Sequence, residues 1–214
     1  ANGALAPPCP RAPERMLGSR GQGDLFKPEE SSGSHQAEVQ LPIQREQLLA
    51  WQRRLHQYQA TLFRGEPGPL QQGSLFGDDS QDPVTAIKPL ALAPLPLSFW
   101  RWPESPHRGA AIYLVLDRPA DLEQPLLLYV GETKAADQRW KGEHDCKSYL
   151  AAYGEALQRC GISQQLSIRF CTDVPQATRA RRDLEQRLIQ HWLPPFNKET
   201  RQRWATPFTS EPGN

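Results

Sequence analysis

The sequence has few cysteines, a single methionine and no long hydrophobic run. Its 214 residues include 4 cysteines, none in a Cys-x-x-Cys pair, so neither a zinc ribbon nor a disulfide framework is indicated. The longest apolar run, Pro89 to Trp100, is short and interrupted by prolines, and no apolar signal-peptide core is found at the N-terminus. We therefore expect a soluble cytoplasmic protein with no membrane segment.

An excess of charge of one sign is also missing. The chain has 25 Lys and Arg against 24 Asp and Glu, a net charge of +1, which excludes a histone-like polycation. Any nucleic-acid binding must then depend on local patches. Hydrophobic residues make up only 38% and prolines number 21, so we expect part of the chain to lie outside a packed core.

The composition changes along the chain and divides it into segments. Residues 1–43 are rich in Pro, Gly and Ser, which is typical of a disordered tail. Apolar residues recur three or four apart over 44–63, which predicts an amphipathic helix that docks on the main domain or on a partner. Residues 64–107 indicate a Pro- and Gly-rich linker followed by an extended strap, and residues 201–214 a C-terminal tail.

The remaining segment, 108–200, has the pattern of one compact domain. Strands are predicted at 110–116, 126–130 and 166–171, and helices at about 133–143, 146–159 and 177–192. The first two strands form a hairpin, and we expect Gly131 to end the second. This order predicts an α/β fold of the α+β type, with a small three-stranded sheet flanked by helices.

Five short motifs in this segment carry a family resemblance. Ala111-Ile112-Tyr113 and Tyr129-Val130-Gly131 lie on strands that pair, Arg139 follows on a short helix, Glu185 lies on the last helix, and Asn197 closes Pro-Pro-Phe-Asn. In this order they resemble the GIY-YIG nuclease family. The sequence departs from that family at the first residue of the first motif, where Gly is usual, and at the residue after the second, where several members have Lys.

The resemblance implies a site for phosphodiester hydrolysis. Tyr113 and Tyr129 line it, and Tyr129 assists deprotonation of the attacking water, for which a phenol needs a nearby cation. Arg139 contacts phosphate. His144, close to the position where the family often has His or Tyr, is the candidate proton carrier.

The resemblance also implies a divalent metal. Glu185 is the metal ligand, and Asn197 braces the site. A single carboxylate suits Mg²⁺, which keeps several waters in its shell, and Mn²⁺ is the usual substitute. The expected activity is metal-dependent hydrolysis of DNA, in repair or in processing near replication.

Other functions stay open on the sequence alone. The chain can be a catalytically weak adaptor that binds DNA or a clamp and retains the fold, which Glu132 favours because it stands where family members have Lys. A sequence-specific restriction or homing enzyme is a third class, although such enzymes usually carry a recognition module. RNA as substrate also stays open.

Each motif residue also has an ordinary structural interpretation. The two tyrosines fit the interior of a sheet, and Arg139 and His144 fit a solvated helix. Glu185 lies four and three positions after Arg181 and Arg182, where a helical ion pair forms. Only the ordered set favours a nuclease site.

Two further motifs lie outside the predicted domain. Gln22-Gly23-Asp24-Leu25-Phe26 and Gln72-Gly73-Ser74-Leu75-Phe76 both fit the pattern Gln, any residue, Ser or Asp, Leu, Phe. They resemble the peptide that binds bacterial sliding clamps. The resemblance implies that each Leu-Phe pair fills a hydrophobic pocket and each Gln makes a polar anchor, with a sliding clamp as a partner beside DNA. The alternative is that these Leu-Phe pairs cover the domain's own surface.

We predict that Phe26→Ala combined with Phe76→Ala abolishes binding to a purified sliding clamp, because both apolar anchors are lost. Binding is measured by surface plasmon resonance against the parent chain. Failure of the parent chain to bind would remove the clamp as a partner.

Overall fold

The computed structural model describes residues 43–66, 82–141 and 145–208. The tail predicted over 1–43, except Ile43, lies outside them, as do His144 and both Leu-Phe motifs. The elements are α1 (Arg45–Phe63), α2 (Pro83–Ala86), β1 (Ala111–Asp117), β2 (Leu126–Thr133), α3 (Ala136–Arg139), α4 (Asp145–Arg159), β3 (Leu166–Cys171) and α5 (Thr178–Trp192), with 3-10 turns at Pro89–Ala91, Phe99–Arg101 and Arg201–Trp204.

The three strands form one antiparallel sheet in the order β2-β1-β3. β1 is central because it forms a hairpin with β2 on one side and pairs with β3 on the other. This sheet and its covering helices confirm the predicted α+β class. No helix in the described segments is both long enough and apolar enough to cross a membrane.

The prediction that Gly131 ends the second strand is wrong. β2 runs through Gly131 to Thr133, and Gly131 pairs with Tyr113 of β1. A Cβ atom on Gly131 would lie 2.3 Å from Cζ of Tyr113. The glycine therefore makes room for the tyrosine ring on the sheet, and it does not break the strand.

A β-bulge in the hairpin decides where Tyr129 points. Val115 pairs with Tyr129 but the next residue, Leu116, pairs with Leu127, so Leu128 is the additional residue. An extra residue shifts the alternation of side chains by one. As a result Leu128 and Tyr129 both pack with the core on the face that carries Tyr113.

This face of the sheet is covered mainly by α1 and α4. The apolar stripe of α1 is buried there, with Leu48, Trp51 and Leu55 at most 2% exposed. The helix is also anchored by polar groups: Gln52 Nε2 donates to Tyr153 Oη at 2.6 Å, and that hydroxyl donates to Asp117 at 2.7 Å. The helix predicted over 44–63 thus docks on the main domain, so the core does not begin at residue 108.

The other face is covered by α5 and α2. Ile112, Leu114 and Leu116 of β1 point to this side, where they pack against a stripe of α5. The buried residues of that stripe are Leu184, Leu188, Ile189 and Trp192. A three-stranded sheet with two apolar faces needs helices on both of them.

Two segments outside the predicted domain extend this core. Leu95 forms a β-bridge with Ile168 along the outer edge of β3, and Arg169 Nη1 donates to Pro89 O at 3.0 Å. At the other end, Trp204 is 5% exposed, and Phe208 packs against Trp51 with ring centroids 5.3 Å apart. The prediction of a tail from residue 201 is therefore wrong for 201–208, because these aromatic rings complete the core beside α1.

Gln59 of α1 pairs with the outer edge of β2 in place of a further strand. Its Oε1 accepts from Leu127 N at 2.8 Å, and its Nε2 donates to Leu127 O at 2.9 Å and to Trp192 O at 3.1 Å. Gln59 is fully buried. These bonds satisfy backbone groups that would otherwise be buried without partners.

We predict that Gln59→Ala lowers the free energy of unfolding by about 2–4 kcal/mol, because it leaves buried backbone groups unpaired. Gln57→Ala, at an exposed position on the same helix, is the matched control and should change stability by less than about 0.5 kcal/mol. Urea unfolding measures both, and equal stabilities of the two variants would contradict this role of Gln59.

Candidate active site

Three of the predicted site residues are in direct contact. Tyr113 and Tyr129 stack with ring centroids 5.9 Å apart and planes inclined by 26°. Arg139 Nε donates to Tyr113 Oη at 3.0 Å, and the guanidinium carbon lies 5.7 Å from the centroid of that ring. The bulge, Gly131 and the single helical turn of α3 together bring this group into register.

Both tyrosines keep their protons at neutral pH. Burial raises the pKa of Tyr113 well above its ordinary value, and the neighbouring Tyr129 adds to this while Arg139 opposes it. The pKa of Tyr129 is raised to about 12, chiefly by burial. Cys146 and Glu185 contribute to this increase, while Tyr113 and Arg139 oppose it. The positive charge of Arg139 thus lowers the pKa of both phenols without reversing the effect of burial.

Glu185 of α5 binds the edge of β2 close to these residues. Its Oε1 accepts a hydrogen bond from the backbone N of Glu132 at 3.0 Å. The pKa of Glu185 is raised to about 7, chiefly by burial. The Glu132 N–H and Arg139 lower this pKa, and the carboxylates of Glu132 and Glu199 contribute to the increase. Glu132 is next to Gly131, which pairs with Tyr113 of β1, so the Glu185 carboxylate lies at the strand that carries Tyr129.

The arginines that were candidates for pairing with Glu185 instead bind Glu132. Arg181 Nε contacts Glu132 Oε2 at 2.9 Å, and Arg182 Nε contacts Glu132 Oε1 at 3.3 Å. Arg181 is fully buried and also donates to the carbonyls of Pro175 and Gln176. A helical ion pair therefore does not explain Glu185, and the Glu132 ion pairs fix the end of β2 against α5.

Asn197 braces the strand that carries Tyr129. Its Oδ1 accepts from Val130 N at 2.9 Å, and its Nδ2 donates to Val130 O at 2.8 Å. The side chain is 4% exposed. Both bonds lie on the outer edge of β2, between the backbone groups bound by Gln59 and by Glu185. Asn197 is thus a positioning residue, and these two bonds join it to none of the side chains of Tyr113, Tyr129, Arg139 and Glu185.

Sequence reasoning missed two neighbours of the tyrosines. Trp140 packs edge-on against Tyr113 with centroids 5.9 Å apart, and the buried thiol of Cys146 lies close enough to raise the pKa of both tyrosines. Trp140 directly follows Arg139, so an aromatic residue beside the motif arginine was the available signal. Nothing in the spacing of Cys146 indicated its position.

The candidate site offers one carboxylate, that of Glu185, as a protein ligand for a metal. No group of three or more His, Cys, Asp or Glu side chains that could hold a metal exists within the described residues. Glu185 uses Oε1 for the Glu132 N–H, and its Oε2 accepts no hydrogen bond from the described part of the chain. A single carboxylate with one oxygen left for a metal fits Mg²⁺, which takes one or two protein ligands and completes its shell with water and phosphate oxygens.

Comparison of the chain with models of known families, with curated proteins and with solved structures gave no match.

We predict that the raised pKa of Glu185 makes stability depend on pH. A carboxyl whose pKa is raised from 4.5 to about 7 on folding contributes stability below pH 4.5 and loses this contribution as the pH rises through 7. The free energy of unfolding of the parent, relative to that of Glu185→Gln, should fall by roughly 1–2 kcal/mol between pH 5 and pH 8, allowing for partial solvent screening.

The measurement is urea unfolding of both proteins across this range with a chelator present, since a bound cation would favour the ionised carboxylate. Other titrating groups cancel in the difference between the two proteins. A difference that does not change with pH would contradict a buried carboxyl at this position.

Proposed function

We propose that the chain is a GIY-YIG-type endonuclease that hydrolyses phosphodiester bonds of DNA with Mg²⁺ or Mn²⁺. One observation carries the proposal: Arg139 contacts Tyr113, which stacks on Tyr129, and Glu185 binds the backbone N of Glu132 on the same strand as Tyr129. These residues come from four different elements, β1, β2, α3 and α5. Structural roles for the same residues would not require this convergence.

Arg139 is the phosphate-binding group of this proposal. Its Nε is used by Tyr113 Oη, which orients the guanidinium and leaves the terminal nitrogens for a bidentate contact with phosphate oxygens. A cation held in place before the reaction stabilises the negative charge that develops on the phosphate.

Glu185 is the group that would hold the metal. When bound, the cation supplies Lewis-acid stabilisation of the phosphate charge. The carboxylate is held by the Glu132 N–H, and Glu132 is in turn fixed by Arg181, so the ligand is preorganised. Because the pKa of Glu185 is about 7, metal binding at neutral pH includes loss of a proton from a fraction of the molecules.

Tyr129 orients the attacking water in this proposal. With a pKa of about 12 the phenol is protonated at rest, so it acts through its hydrogen bonds and is not a ready base. This refines the expectation that Tyr129 assists deprotonation: positive charge from Arg139, and from a cation at Glu185, must first lower its pKa.

The sequence supports a partner as well as a substrate. The two Leu-Phe motifs lead us to propose that the chain binds a bacterial sliding clamp, which would direct cleavage to DNA under repair or replication in the cytoplasm. The adaptor alternative needs the same motifs but not the site, and Glu132, which favoured it, is neutralised by two arginines.

We predict that Glu185→Ala lowers metal-dependent cleavage of labelled DNA by about 100-fold or more, because the assigned metal ligand is lost. Asp183→Asn is the matched control, since Asp183 is an exposed carboxylate on the same helix, and it should keep the parent's rate. Duplex, flapped, branched and single-stranded substrates are tested with Mg²⁺ and with Mn²⁺, and an RNA version of each separates the two nucleic acids.

An unchanged rate in Glu185→Ala would refute the site. Binding without cleavage on every substrate would instead support the adaptor.

A further inference from the structure

A groove lies beside the candidate active site, and none of the residues with a proposed role in cleavage lines it. It has a volume of about 570 Å³ and lies between the strap and α4. Residues that line it include Leu97, Trp100, Trp140, Lys147, Gln158 and Gln164.

Trp140 lies between the groove and the candidate site. Its ring contacts that of Tyr113, 5.9 Å between centroids, and the same side chain, which is 3% exposed, lines the groove. Trp140 also follows Arg139, the proposed phosphate-binding group, directly in the chain. The groove is therefore adjacent to the candidate site, with Trp140 as the wall between them.

The groove has one exposed aromatic ring with two cations near its rings, of which Lys147 lines the groove and Arg101 does not. Trp100 is 36% exposed, and the guanidinium of Arg101 lies 5.0 Å from the centroid of its ring. Across the groove, Lys147 Nζ lies 5.9 Å from the centroid of Trp140. Proteins that bind single-stranded nucleic acids combine aromatic rings with cations, because bases stack on the rings and phosphates pair with the charges.

The remaining polar groups of the groove do not select one base. Gln158 and Gln164 present amides, which donate and accept hydrogen bonds equally well. The one carboxylate among the lining residues, Glu155, forms an ion pair with Arg159 at 2.5 Å, so its negative charge is offset. The groove is thus tolerant of sequence and suited to an anionic ligand.

We propose that this groove binds an unpaired nucleobase of the substrate, stacked on Trp100, with the adjoining phosphates at Arg101 and Lys147. The inference rests on the proposed function and deepens it. The preferred substrate then has a single-stranded segment next to the cleaved bond, as a flap or a branch has, and is not a fully paired duplex.

The test is binding of fluorescently labelled DNA by the full chain in the presence of a chelator, so that no cleavage occurs. Each protein is titrated with a flapped duplex and with a blunt duplex of the same sequence, and anisotropy gives the two Kd values. Trp100→Ala should weaken binding of the flapped DNA by at least about fivefold and leave the blunt duplex unchanged.

Two further variants control for folding and for general aromatic effects. Trp100→Phe keeps a stacking ring and should restore most of the affinity. Trp102→Ala removes a tryptophan that is 45% exposed, next to Arg101 but not among the residues that line the groove, and it should change binding by less than about twofold. Thermal unfolding of each variant checks that the fold is kept.

Three results would overturn the inference while leaving the proposed nuclease intact. They are an unchanged Kd for flapped DNA in Trp100→Ala, an equal loss on blunt and flapped DNA, and an equal loss in Trp102→Ala. Absence of DNA binding and cleavage by the parent chain would instead refute the proposed function, and the inference with it.

Discussion

Hydrogen bonds to the outer edge of β2 are the interaction on which both the fold and the candidate site depend. Side chains occupy this edge where another strand would otherwise pair: Gln59 binds Leu127, Asn197 binds Val130, and Glu185 binds Glu132 N. The three residues come from α1, from the segment after α5 and from α5 itself. The edge therefore joins distant parts of the chain, and the strand that carries Tyr129 is held at three successive points.

Local features of this strand then orient the tyrosines. The bulge at Leu128 turns Tyr129 to the face of Tyr113, and Gly131 leaves the space that the Tyr113 ring fills. Burial keeps both phenols protonated, while the carboxyl of Glu185, with its pKa near 7, is the group that can change charge near neutral pH. The proposed division of labour follows: the phenols orient, Arg139 binds phosphate, and Glu185 holds the cation.

Periodicity predicted the elements, because alternation and helical spacing are local properties of the sequence. The third strand was predicted with its observed bounds, Leu166–Cys171, and α5 within one residue of its start. The placement of α1, the burial of Trp204 and the path of β2 through Gly131 depend on contacts distant in sequence, which no local pattern contains. Only the family resemblance predicted that Tyr113, Arg139 and Glu185 lie near one another. The ion pairs of Glu132 could be found only from the structure.

The groups bound to the outer edges of the sheet have a consequence for self-association. Side chains occupy the outer edge of β2, and on the outer edge of β3 the backbone of Ile168 pairs with Leu95 of the strap. Arg169 holds the strap by donating to the carbonyls of Pro89 and Leu92. An open edge is the usual template on which a second chain adds a strand, both in aggregation and in dimers formed by sheet extension. Addition of a strand at Leu127, Val130, Glu132 or Ile168 would therefore first require displacement of the groups that bind these residues now.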